Sequence, residues 1–247
     1  MSIFILNMFN KDKYYLENDH VIGYTIKKML GEGQYGIVYL VEDKEKKKYV
    51  MKQLKKKISK KNRNKLFYEE MTLKRLHNTH FPKFIENYKD DYSEGYILEY
   101  IEGEVFEDIL REDGYQFKRD EIYGICAQLL DMTEILHSYN IVHRDIRLPN
   151  VIRKENQELS LIDFGLARTM DTERYTRDLD YWYIGDFLLH LYYTTYQNKS
   201  KLERPWYKEL DLSTEEKELL LRLMGIEKIY LSIHEIRQQL NLIRYGK

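Results

Sequence analysis

The stretch His143-Arg-Asp-Ile-Arg-Leu-Pro-Asn150, with Asp163-Phe-Gly165 beginning thirteen residues after Asn150, decides the fold of this 247-residue chain. Asp and Asn oxygens set in polar loops suit a hard divalent cation such as magnesium. That ion binds through few protein ligands and fills its remaining positions with phosphate and water. Asp145 is spare in such a scheme and can accept a proton from an attacking hydroxyl. Each acid taken singly reads as a loop cap. The ordered set at this spacing calls for chemistry.

Working toward the N-terminus, Gly31-Glu-Gly33-Gln-Tyr-Gly36-Ile-Val38 lies between two strand patterns within Tyr24–Val41. Glycines let backbone N–H groups approach phosphate oxygens closely, though a tight hairpin uses them as well. Strands on both sides exclude the strand–turn–helix dinucleotide fingerprint. A third strand, YVMKQL (49–54), carries Lys52 sixteen residues after Gly36, and alternation puts Val50, Lys52 and Leu54 on one face. An ammonium among apolar neighbours needs a partner. The helix pattern of Lys60–Leu76 supplies one, because Leu66, Glu69, Leu73 and Leu76 share a face. Glu70 falls about 100° away, toward solvent. A buried ion pair is poor value for stability, which favours a functional use for Lys52 and Glu69.

The second half is richer in helix. Glu121–Tyr139 shows an apolar stripe at Ile122, Ile125, Cys126, Leu129, Leu130, Thr133 and Leu136. Short strands are expected near 141–142 and 159–162. Ser213–Glu216 and Ser232–Glu235 fit capping boxes. A further strand, 96–101, closes the first half, so two lobes are expected, 1–101 and 102–247, with a ligand cleft between them. A formal charge of −1 leaves no global field aimed at nucleic acid or membrane. The lone cysteine, Cys126, reads as a buried apolar residue in a reducing compartment. No stretch approaches the ~20 apolar residues of a membrane span. The opening MSIFILNMFN lacks a basic leader and reads as an ordered segment, so a cytoplasmic location is expected. Lys44–Lys65 holds twelve Lys or Arg against Glu45 alone. Such a run is usually a solvated face, with an RNA or acidic-protein partner as the alternative reading.

GEGQYGIV, VMK, the Glu69 helix, HRDIRLPN and DFG together resemble the eukaryotic-like protein kinases, from about Tyr24 onward. More narrowly, they are similar to small single-domain probable serine/threonine kinases of low-GC Gram-positive bacteria. The resemblance implies an α+β, bilobal protein-kinase-like fold, with a strand-rich N-lobe (1–101) and a shortened helical C-lobe (102–247). It implies ATP and magnesium as cofactors, and a protein, or the chain itself, as phosphate acceptor. Gly31, Glu32, Gly33, Tyr35 and Gly36 would cover the phosphates, and Val38 and Met51 would pack on adenine. Leu98 would be the gatekeeper, with the Glu99 and Ile101 backbone on the adenine edge. Lys52, paired with Glu69, would hold phosphates. Asp145 would be the base, Arg147 would lie near the transferred phosphate, and Asn150 and Asp163 would hold magnesium.

The sequence departs from that family after the metal loop. Asp180-Tyr-Trp182-Tyr-Ile-Gly185 matches the family's next helix start, yet only Leu166–Leu179, fourteen residues, lie between Gly165 and Asp180. No Ala-Pro-Glu occurs there, so the platform on which an extended peptide lies is abbreviated. Thr169, Thr172, Tyr175 and Thr176 remain as phosphorylation candidates, with Arg144 as the phosphate's partner. Three readings follow: a Ser/Thr protein kinase, a small-molecule kinase or accessory ATPase, and a nucleotide-binding pseudokinase.

Overall fold

Along Gly36–Glu42 the side chains alternate, with Ile37, Tyr39 and Val41 buried and their neighbours half-buried, the pattern of a strand with one face on a core. The computed structural model describes residues 12–34, 36–56, 60–112, 114–197 and 204–246, apart from the side chains of 60–67. It divides the chain into two units, Met1–Ile101 and Glu102–Lys247. Tyr35, the side chain of Leu66, the MSIFILNMFN opening and part of the basic run lie outside the described residues.

Among the described residues, the first unit is a six-stranded antiparallel sheet and one helix. In chain order these are β1 (His20–Val21), β2 (Tyr24–Glu32), β3 (Gly36–Glu42), β4 (Lys48–Leu54), α1 (Lys60–Arg75), β5 (Phe84–Lys89) and β6 (Glu94–Glu99). The spatial order is β1-β2-β3-β4-β6-β5. One face buries Ile26, Ile37, Tyr39, Val41, Met51, Tyr88 and Ile97 in a single core. On β4 that leaves Val50, Lys52 and Leu54 on the other face. The sequence did not disclose β5. It is an edge strand, exposed or half-exposed everywhere except Tyr88, so no apolar alternation marks it. The last strand ends at Glu99 rather than at Ile101.

The second unit follows a loop after β6. It contains β7 (Glu104–Val105), α2 (Phe106–Arg111), α3 (Arg119–Ser138), β8 (Ile141–Val142), β9 (Val151–Arg153), β10 (Leu159–Leu161), β11 (Arg168–Thr169), α4 (Asp178–Tyr193), α5 (Trp206–Glu209), α6 (Thr214–Leu223) and α7 (Ile233–Tyr245). The apolar stripe of α3 is buried along its whole length, Cys126 included. Burial pushes that thiol up to about 12, so it stays protonated and unreactive at neutral pH. Strands β9 and β10 form a hairpin that β7 extends, and β8 pairs with β11. Ser213 and Glu216 form a complete capping box, whereas at Ser232 only the serine half is present. Glu216 is buried and also accepts from Tyr123 of α3 at 2.7 Å and Tyr192 of α4 at 3.2 Å. No helix among the described residues is long and apolar enough to cross a membrane.

Gly95 sits where β6 crosses both neighbouring strands, and a Cβ there would overlap the Lys52 carbonyl oxygen and the Tyr88 ring. A Gly95→Ala change is therefore expected to destabilise the protein by at least about 2 kcal/mol. Urea unfolding checks this, and a loss below about 0.5 kcal/mol would contradict the packing described here.

Candidate active site

Register in the first unit determines which residues can meet a ligand. In antiparallel pairs, directly opposed residues share a face. Val38 opposes Lys52, Val50 opposes Leu98, and Lys52 opposes Tyr96. Val38, Val50, Lys52, Tyr96 and Leu98 thus form one patch on the face away from the core. Met51 does not belong to it. It is fully buried in the core on the opposite face, against Tyr39 and Ile97, because one step along a strand reverses the side chain. Val50, its neighbour in the strand, is the residue on the Lys52 side.

Glu69 reaches this patch from α1. Its Oε1 accepts from Lys52 Nζ at 2.7 Å, and its side chain is 1% exposed. Tyr96, whose hydroxyl donates to the other oxygen of Glu69, went unnoticed in the sequence because tyrosines abound. Glu70 is more engaged than its helical angle suggested. It accepts from Asn87 at 2.9 Å and Lys74 at 2.6 Å. Burial alone would raise its carboxyl, but these bonds and the Lys74 charge bring it below the ordinary value.

In the glycine stretch, Gly33 N–H donates to the Gly36 carbonyl at 2.9 Å and closes the turn between β2 and β3. Gly36 must be glycine, since a Cβ would lie 2.7 Å from the Gln53 carbonyl oxygen. Gly31 and Gly33 have no such neighbour within 4 Å. Glu32, between them, pairs with Lys55 and accepts from Tyr14 at 3.1 Å, which lowers its carboxyl. Leu98 is buried at the patch edge, Glu99 N–H donates to the Lys83 carbonyl at 2.9 Å, and Ile101 is half-buried beyond the strand end. Among the described residues, four of the basic run are engaged. Lys52 and Lys55 are ion-paired, and Lys47 and Lys48 lie over the rings of Tyr49 and Tyr100.

The second unit carries the other residues, Asp145, Arg147 and Asn150 on one loop and Asp163 on another. Asp180, at the start of α4, is fully buried and accepts from the backbone of His143 at 3.1 Å and of Arg144 at 2.8 Å. His137 Nε2 lies 3.0 Å from the same carboxylate. These bonds hold Arg144 at φ +67°, a left-handed conformation that a residue with a Cβ adopts only when its surroundings enforce it. Beyond that bend, Asn150 Nδ2 donates to both the carbonyl of Asp145, at 2.9 Å, and its Oδ2, at 2.7 Å. Arg147 grips the same carboxylate with two nitrogens, Nη2 to Oδ2 at 3.0 Å and Nε to Oδ1. That hydrogen bond is the main reason the guanidinium is raised above its usual value. Arg147 therefore engages Asp145 itself. Asp163 also takes a left-handed bend, φ +63°, and its Oδ1 accepts from Gly165 N–H at 3.4 Å. Phe164, fully buried, meets the His143 ring edge-on at 4.6 Å.

The short segment after Gly165 is organised by its own bonds. Arg168 and Thr169 pair with Val142 and Ile141, and Met170 N–H donates to the Asn140 carbonyl at 2.9 Å. Asp171 Oδ1 then accepts from the N–H groups of Glu173, Arg174 and Tyr175. The Tyr175 ring lies 4.6 Å from the Arg144 guanidinium, which also donates to the Leu166 carbonyl at 3.1 Å. Thr169 thus ends β11, while Thr172 and Tyr175 sit in a closed turn with Thr176 at its exit.

A family model described as "Protein kinase domain" matches residues 24–202. The chain is 37% identical over 226 residues to "Probable serine/threonine-protein kinase YbdM" of Bacillus subtilis (strain 168), covering 88% of each. It is 32% identical over 155 residues to "Serine/threonine-protein kinase 36" of Mus musculus, where the match spans 11% of that relative. It is 31% identical over 153 residues to "Serine/threonine-protein kinase Nek6" of Oryza sativa, across 28% of its length. With a family model over most of its sequence and one bacterial relative matched almost end to end, this chain belongs to the eukaryotic-like protein kinase family.

Proposed function

We propose that this protein is a Ser/Thr protein kinase, transferring the γ-phosphoryl group of ATP to a protein hydroxyl with magnesium as cofactor. The observation that carries the reading is the Lys52–Glu69 pair. A carboxylate 1% exposed and bonded to a lysine at 2.7 Å costs desolvation that apolar packing would avoid. Holding an ammonium ready for phosphate oxygens accounts for it. Similarity to relatives named as serine/threonine kinases supports the choice of hydroxyl.

The glycine stretch fits a phosphate ligand. Packing requires glycine at Gly36 but not at Gly31 or Gly33, and bare backbone at those two positions suits close approach of a phosphate. In the second unit, Asn150 spends its amide hydrogens on Asp145, which turns its Oδ1 acceptor toward a cation's needs. Among the described residues no group of three His, Cys, Asp or Glu could hold a metal. Magnesium does not require one, since phosphates and water complete its shell, and Asn150 and Asp163 would be its two protein ligands. Bound magnesium would supply neutralisation of phosphate charge. Asp145 would orient the acceptor hydroxyl and take its proton. Arg147, held on both carboxylate oxygens, would share one of them with the acceptor hydroxyl during that transfer.

A second reading, a small-molecule kinase or accessory ATPase, is favoured by the fourteen-residue segment Leu166–Leu179, which closes on Asp171 and carries no Ala-Pro-Glu. Incubation with labelled ATP and magnesium, with and without a generic basic protein, separates the two. Label on protein is expected, and phosphate release without protein labelling would favour the second reading. Nucleotide binding without turnover would favour a pseudokinase.

Asp145→Asn is expected to lower kcat by about 10²- to 10⁴-fold while nucleotide binding persists. Full activity in that variant would remove Asp145 from the role of base. Asp163→Asn is expected to abolish magnesium-dependent turnover, as read by titrating the metal. In Arg147→Lys the charge remains but the planar two-point grip is lost. A decrease in kcat of roughly tenfold is expected, with KM for ATP unchanged.

A further inference from the structure

Lys52 and Tyr96 stand on one rung of the first unit's sheet, directly opposed on β4 and β6 and facing away from the core. Glu69 descends onto that rung from α1. Its Oε1 accepts from Lys52 at 2.7 Å and its Oε2 accepts from the Tyr96 hydroxyl. The carboxylate is 1% exposed and Tyr96 is 3% exposed, so bulk water offers little substitute for either donor. The next residue of the helix repeats the pattern one strand further out. Glu70 binds Asn87 of β5 and Lys74, and the Lys74 ammonium lies 4.6 Å over the Phe84 ring. Adjacent acids thus fasten one turn of α1 to both β5 and β6.

The lysine bond alone does not fix the orientation of Glu69. A carboxylate held at one oxygen can rotate about its last torsion, and the lysine it holds follows. A donor on the second oxygen removes that freedom. We propose that Tyr96 is a positioning residue for phosphoryl transfer, one that fixes the Glu69 carboxylate and thereby the place of the Lys52 ammonium. The proposal rests on the reading of Lys52 as the residue that holds ATP phosphates. Tyr96 touches no reacting atom under it and acts only through Glu69. Phenylalanine would fill the same space but leave Glu69 Oε2 without this donor in a site closed to solvent. A misplacement of about 1 Å in a phosphate-holding group is enough to slow transfer substantially.

The test is a double-mutant cycle on the full chain, with Tyr96→Phe, Glu69→Gln and the double variant assayed against ATP and a generic basic protein. Tyr96→Phe is expected to lower kcat/KM for ATP roughly tenfold, the loss of one hydrogen bond to a charged group. KM for the protein substrate should stay near wild type and the melting temperature should fall by no more than several degrees, which separates positioning from loss of fold. Adding Tyr96→Phe to Glu69→Gln should change activity by less than about twofold, because the residue through which it acts is already altered. Wild-type kcat/KM in Tyr96→Phe, or the same tenfold loss in both backgrounds, would overturn the proposal. Wild-type activity in Glu69→Gln would overturn the role of the Lys52–Glu69 pair itself, and the proposal with it.

Discussion

The loop of the second unit that carries Asp145 depends on one buried carboxylate. Asp180 has no contact with solvent, yet it is met by two backbone N–H groups and the His137 ring. A charge buried so completely persists only with such partners, and they are the groups that the loop must otherwise leave unsatisfied. The exchange fixes Arg144 in a left-handed bend that the chain would not adopt alone. From that bend Asp145, Arg147 and Asn150 take their positions on one another. Removing the carboxylate would release the loop before it altered any residue placed at the chemistry.

The sequence disclosed much of this for a physical reason. Glu69 could be assigned to the buried side of its helix because three leucines share its angular position. Asp180 could be assigned to the start of a buried helix because the residues after it are apolar on nearly all sides. Strand faces were legible wherever alternation was clean, as in Gly36–Glu42. The same period puts Met51 on the face opposite Lys52, in the core. Edge strand β5 was missed because an edge needs few apolar residues. Contacts between polar side chains far apart in sequence, such as Tyr96 with Glu69 or Tyr175 with Arg144, leave no periodic trace at all.

The fourteen-residue segment shows how a shortened connection can remain ordered. It borrows a two-residue strand pairing from β8, then turns on Asp171, whose one oxygen collects three successive N–H groups. Those bonds also hold Asp171 below the ordinary carboxylate value. Stacking of Tyr175 on Arg144 completes the closure.

Glu216 has a consequence of another kind. As a capping residue it would secure only the first turn of α6, and that helix could open and close independently. Its oxygens are also shared with Tyr123 of α3 and Tyr192 of α4, with Arg119 3.5 Å away. Three helices distant in sequence are therefore tied at one atom pair, and none can open locally without stripping the others of a buried partner. The effect is on cooperativity more than on total stability, since a fluctuation must involve all three helices or none.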